Sequence, residues 1–209
     1  MMTTLTSSPV HYPDSDGNPM ADNTKQLHWI MLCKIGLDAL YATQADVFIA
    51  GDLLWYPVEG QPKIRQAPDV MVVFGRPKAD RGSYKQWEEA GVAPQIAFEI
   101  LSPGNTLLEM ARKFEFYEEY GIEEYYIYNP DTYDFSAWQR RDGKLRVAEF
   151  TSELTSPRMG IRFMVPDPPA PLEIYHPNGR RFVDGATLSQ ERDRLAAKLR
   201  ELGIDPDTV

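Results

Sequence analysis

Three residues stand out by type and placement: Asp69, Glu99 and Lys113. Glu99 lies in the middle of QIAFEILSPG, residues 95–104, a run that reads as a β-strand entering a turn. Ile96, Phe98 and Ile100 share one face of that strand; Ala97 and Leu101 share the other face with Glu99. An unpaired buried charge costs several kcal/mol or titrates to its neutral form. Glu99 therefore needs a partner, a metal or a route to solvent. Asp69 follows Pro68 and opens a second apolar run, APDVMVVFG. Two carboxylates on neighbouring strands can converge on one point. Such hard oxygen ligands suit Mg²⁺ or Mn²⁺, which take one or two carboxylates plus waters and substrate phosphates. The main-chain carbonyl of Ile100 offers a third oxygen. Lys113 lies on a helix just downstream, at the edge of its apolar face, four residues from both Glu109 and Tyr117. If that helix packs back on the strand, the ammonium reaches the carboxylates. There it can orient a water and neutralise charge on a phosphate. Acid, acid and base together form the set of a metal-dependent phosphodiesterase. A structural ion pair between Glu99 and Lys113 accounts for the same two residues.

The elements that must position these groups follow from patterning. A helix starts near Asp22 or Asn23 and runs through TKQLHWIMLCKIGLDALYA, with Leu27, Ile30, Met31, Ile35 and Leu37 to Leu40 as its apolar stripe. DVFIAGDLLWYPV, residues 46–58, is β with a bend at Gly51-Asp52. Residues 76–94 read as loop with a short helix. SPGN, 102–105, is turn chemistry, and TLLEMARKFEFYEEYG is an amphipathic helix stopped by Gly121, with Leu107, Met110, Phe114 and Tyr117 on one side. EEYYIYNP is a strand, and FSAWQRRDGKLRVAEF a hairpin around Asp142-Gly143. VPDPPAP, 165–171, reads as a stiff linker. Thr187 and Gln190 suggest a capping box for a last helix, on which Leu188, Leu195 and Leu202 repeat at seven with Leu199 between. That helix packs on its own domain or pairs with a second subunit. The expected class is α/β with a mixed central sheet.

Bulk properties narrow the functions. The chain has 209 residues, 43% hydrophobic and 25% charged, as an ordinary globular protein has. The N-terminus carries neither a basic n-region nor an apolar h-region, and no run is long enough to span a bilayer, so a cytoplasmic protein without a membrane is expected. A single cysteine, Cys33, excludes an internal disulfide. A net charge of −9 argues against a broadly basic nucleic-acid binder. Charge is uneven, however: between Lys63 and Trp87 six basic residues face two acidic ones. Arg65, Arg76, Lys78, Arg81 and Lys85 form a candidate nucleic-acid rim, or a solvated loop. The histidines are scattered, and no GxSxG, P-loop or GxGxxG motif is present.

APDVMVVFGRPKADRGSYKQW, PQIAFEILSPGNT, RKFEFYEEYGIEEYYIYNPD and the tail LRELGIDPD together resemble the Uma family, a group assigned as restriction endonucleases within the PD-(D/E)XK nuclease superfamily. The resemblance implies a restriction-endonuclease-like core, a central mixed β-sheet flanked by helices, followed here by a C-terminal helical tail. It implies a divalent metal, Mg²⁺ or Mn²⁺, held by Asp69 and Glu99. The superfamily lysine stands two residues after the acid, but position 101 is Leu. The family pattern moves that lysine to the following helix, which maps to Lys113. Gln26, Asp52 and Tyr117 are expected close to the site. The domain reading is a flexible segment 1–21, a nuclease-like domain 22–165, and a linker with a C-terminal helix over 166–209.

Two functions compete on this reading. One is a Mg²⁺-dependent endonuclease hydrolysing DNA phosphodiester bonds, with a homodimer as an option. The other is a non-catalytic nucleic-acid-binding or assembly module that keeps the nuclease fold.

Overall fold

The computed structural model describes residues 10–17, 19–167 and 169–208. The chain is α/β, as expected. Among the described residues eleven strands and three α-helices follow in this order: α1 (Thr24–Leu40), β1 (Val47–Gly51), β2 (Trp55–Tyr56), β3 (Val70–Phe74), β4 (Tyr84–Lys85), β5 (Ile96–Ile100), α2 (Leu107–Tyr120), β6 (Glu124–Asn129), β7 (Asp134–Arg141), β8 (Lys144–Val147), β9 (Glu153–Thr155), β10 (Arg162–Met164), β11 (Glu173–Tyr175) and α3 (Gly185–Glu201). The central sheet has the order β1-β3-β5-β6-β7-β8. Only β5 and β6, joined through α2, run parallel; every other pair in it is antiparallel. This is the mixed sheet flanked by helices that the sequence implied. No described helix is long and apolar enough to cross a membrane.

Alternation along the strands divides the core in two. Ile96, Phe98 and Ile100 face α1 and the small sheet β11-β10-β9, where Phe98, Tyr126, Phe135 and Phe163 stack on one another. Ala97 faces α2 and the β2-β4 pair, with Met71, Val73, Tyr117 and Tyr125 around it. Glu99 belongs to this second face, by the same alternation. The hairpin turn carries positive φ at Asp142 (52°) and Gly143 (78°), which matches the twist of its strands. Gly121 ends α2 in the left-handed region, at φ 99°.

Several expectations are corrected. α1 is capped by Asn23 as read, but the face it buries is Gln26, Trp29, Ile30, Cys33, Gly36 and Leu37. Leu27 and Met31 are exposed. Gln26 turns inward because its amide has a backbone partner in the sheet, which a pattern of apolar residues cannot show. On α2, Leu107 is 88% exposed, since the helix tucks only its C-terminal half against the sheet. The cap of α3 is Asp184, whose side chain accepts from the Thr187 amide, so the helix starts before Thr187. Part of the stretch assigned to linker is built into the domain: β11 pairs with β10, and Leu172, Ile174 and Phe182 join the α1-side core. The N-terminal segment is also less loose than its composition suggests. Tyr12 packs on Tyr56 and Trp87, and Tyr56 donates to the Pro13 carbonyl at 2.6 Å. Residues 1–9 lie outside the described residues.

Candidate functional site

The site begins with strand register. In the β1-β3 ladder Gly51 stands opposite Val70, and in the β3-β5 ladder Val70 stands opposite Phe98. One step further along both ladders come Asp52, Asp69 and Glu99. Three carboxyl residues thus form a row across three adjacent strands at one end of the sheet. The row is tied by the backbone: the Asp52 amide donates to the Asp69 carbonyl at 3.3 Å, and the Ile100 amide donates to Asp69 Oδ2 at 2.6 Å. Asp52 sits at φ 48°, a conformation aspartate tolerates better than most residues. The Gly-Asp bend read from the sequence is this turn.

Helix α2 covers the row. Lys113 Nζ lies 2.7 Å from Glu99 Oε2, and the Tyr117 hydroxyl donates to Glu99 Oε1 at 2.5 Å. Glu109, one turn before Lys113, is 3.9 Å from the ammonium. From the other side, Gln26 Nε2 donates to the Ile100 carbonyl at 2.8 Å. That carbonyl keeps a second lone pair. Asp52, Asp69, Glu99, Lys113 and Gln26 all line one cleft of about 370 Å³. The structure therefore brings the three sequence-derived residues together, with all three neighbours.

Electrostatics set the cleft apart. Burial pushes the Asp69 carboxyl well above the ordinary aspartate value, and repulsion from Glu99 adds to it. Burial also raises Glu99, against the pull of Lys113 and Tyr117. Burial works to lower Lys113, but the charges of Glu99 and Asp69 outweigh it and hold the ammonium above the ordinary lysine value. Asp52 is raised by burial and by Asp16. The carboxylates thus crowd negative charge around a single ammonium, an arrangement that a cation relieves. The donors are all hard oxygens: Asp69, Glu99 and the Ile100 carbonyl. Among the described residues no group of three or more His, Cys, Asp or Glu side chains closes on one point as a metal cage. Two carboxylates and a carbonyl fit Mg²⁺, which keeps waters and demands few protein ligands.

Other cleft residues escaped the sequence reading. The SPGN turn is fastened by Asn105, which accepts from the Ser102 amide at 2.8 Å and donates to Glu109 at 3.1 Å. Ser102 Oγ in turn donates to Asp22 Oδ2 at 2.5 Å, and Asp16 and Asp22 extend the acidic lining. The turn signal was visible; its place at the cleft depends on how α1 docks. The basic set lies elsewhere. Arg76 and Arg81 both bind Glu89, at 2.8 and 2.6 Å, and Arg81 also covers the Phe48 ring. Lys78 donates to the Tyr41 carbonyl, Lys85 to Glu88, and Arg65 to the Tyr56 hydroxyl. None of the five lines the cleft. Cys33 is a core residue, its thiol pushed up to about 12 by burial.

A family model described as "Uma2: Putative restriction endonuclease" matches residues 20–164. The chain belongs to the Uma2 family. Membership places it among nuclease-like proteins and covers every residue of the carboxylate row as well as Lys113. Among solved structures, a crystal structure from Anabaena variabilis described as a "putative nuclease belonging to DUF820" is 15% identical, with a TM-score of 0.48, over 68% of this chain and 76% of that one. No curated protein matches the chain.

Proposed function

We propose that this Uma2 member is a Mg²⁺- or Mn²⁺-dependent endonuclease of the PD-(D/E)XK type, which hydrolyses DNA phosphodiester bonds at the cleft. The observation that carries the reading is the contact of Lys113 with Glu99 inside a row of carboxylates. In this reading Asp69, Glu99 and the Ile100 carbonyl hold the cation. When bound, it supplies Lewis-acid stabilisation of the charge that develops on the phosphate. The chain's own residues do the rest. Lys113 neutralises Glu99 in a buried setting and presents positive charge where a phosphate oxygen would sit. Tyr117 fixes the second Glu99 oxygen, so the carboxylate cannot swing. Gln26 holds the end of β5 through the Ile100 carbonyl. The catalytic unit spans 22–165, with the strand and core residues that follow completing its packing.

Assays on single-stranded and duplex DNA with Mg²⁺, with Mn²⁺ or with EDTA test this reading. Wild type is expected to cleave only with metal, and Glu99→Ala to fall to background. Equal activity in wild type and Glu99→Ala contradicts the assignment. A second reading, a non-catalytic nucleic-acid-binding or assembly module, draws on the acidic net charge of −9 and on the C-terminal helix, none of whose residues is buried. Binding that ignores Mg²⁺, without cleavage, would favour it.

A further inference from the structure

Helix α3 carries an apolar stripe that its own domain covers only at the start, where Leu188 lies beside Ile35 and Leu40 of α1. None of its residues is buried, and the element it packs against most is the short 3₁₀ turn Pro206–Thr208 that follows it. A 17-residue helix without tertiary support is marginal in water. Leu188, Leu195, Leu199 and Leu202 follow the alternating four-and-three spacing of a coiled-coil seam. Leu195 and Leu202 are 65% and 67% exposed. An open groove of about 300 Å³ runs beside the stripe, lined by Leu188, Leu195, Ala196 and Leu199 with Arg180 and Pro206.

The charges beside the stripe select the occupant. Glu191 and Lys198 stand one heptad apart on the same flank. In a parallel, in-register pair, Arg192 would meet its own copy in the seam, and Glu191 would face Ala196. In an antiparallel pair, Leu188 meets Leu199 of the second copy and Arg192 meets Leu195. Glu191 then lies beside Lys198, twice over by symmetry. We propose that α3 docks antiparallel on α3 of a second copy of this chain. Gly185, at the start of α3, lies against Ile35, nine residues along α1 from Gln26. That is about 13 Å at the helical rise, so the first residue of α3 stands clear of the cleft.

Sedimentation equilibrium of the full chain tests the proposal. With rising concentration the mass should move from 23.8 kDa toward twice that value. Glu191→Lys alone and Lys198→Glu alone should each weaken association by about tenfold, because two attractions become two repulsions. Mixing the two variants should restore it, because each then offers the complement of the other. Both changes keep a strong helix former. Lys198→Glu also removes the Lys198–Glu201 pair inside the helix. Glu191→Lys breaks no such pair among the described residues and is the cleaner variant, and far-UV dichroism of both should match wild type. A wild type that stays at one-chain mass overturns the proposal. So does a mixture that associates no better than the single variants, or single variants that associate as wild type does.

Discussion

Glu99 is 2% exposed, and each of its oxygens is taken, one by Lys113 and the other by Tyr117. The strand carries a carboxylate because α2 brings it a counter-charge and a hydroxyl. Removing one partner of a buried pair is far more harmful than removing both. Lys113→Met is therefore expected to lower unfolding free energy by about 3 kcal/mol in urea at neutral pH, and Lys113→Met with Glu99→Gln to recover part of that. If Lys113→Met is as stable as wild type, the ion pair does not compensate Glu99. Glu99 and Lys113 were legible because each broke an apolar pattern, and such breaks need a cause. Leu101, where the superfamily pattern has lysine, was a departure that the family resemblance resolved by placing the base at Lys113. Gln26 was legible only through the family resemblance, since a polar residue near a helix start is ordinarily a solvated one.

At the scale of elements, α1 and the loop after β3 are each held by a close contact away from the cleft. Gly36 of α1 lies under Phe182: a Cβ there would stand 2.1 Å from the ring. Gly36→Ala is expected to cost about 1–3 kcal/mol through overpacking, read as a lower urea midpoint. An unchanged midpoint would mean that Phe182 moves aside freely. The segment 76–92 is pinned by Glu89 between two arginines. The Arg81 hydrogen bond, opposed by burial and aided by Arg76, holds the Glu89 carboxyl below its ordinary value of 4.5. A lowered folded value contributes stability above the unfolded value, which is lost as pH falls through the folded one. Wild type should therefore exceed Glu89→Gln in thermal midpoint at pH 7, and the gap should close in acid below 4.5. A gap independent of pH would contradict this. These elements were read unevenly. α2 and the β7-β8 hairpin were found because their stops, Gly121 and Asp142-Gly143, are chemically explicit. The strands β9, β10 and β11 have three residues each, too short for any period to show. β11 follows the Pro-rich run read as linker, yet tertiary pairing joins it to β10 and β9 as a sheet.

The whole molecule sets the start of its exposed helix about 13 Å along α1 from the cleft. With no buried residue in α3, a chain ending at residue 183 should keep its core, including Phe182. It is expected to unfold cooperatively within about 1 kcal/mol of the full chain at low concentration, and to run as a monomer. Loss of cooperative unfolding would show that α3 supports the fold. The sheet order was not legible from the sequence, and it is what decides the site: Asp52, Asp69 and Glu99 come into line because β3 lies between β1 and β5. Spacing along the chain says nothing of that adjacency. Gathering a divalent cation at this row is the central claim, and a calorimetric Mn²⁺ titration of wild type against Asp69→Asn tests it most directly. Wild type should show one saturable site, and Asp69→Asn should lose it while unfolding as a native protein does. Equal binding by both proteins, or none by wild type, would contradict the claim.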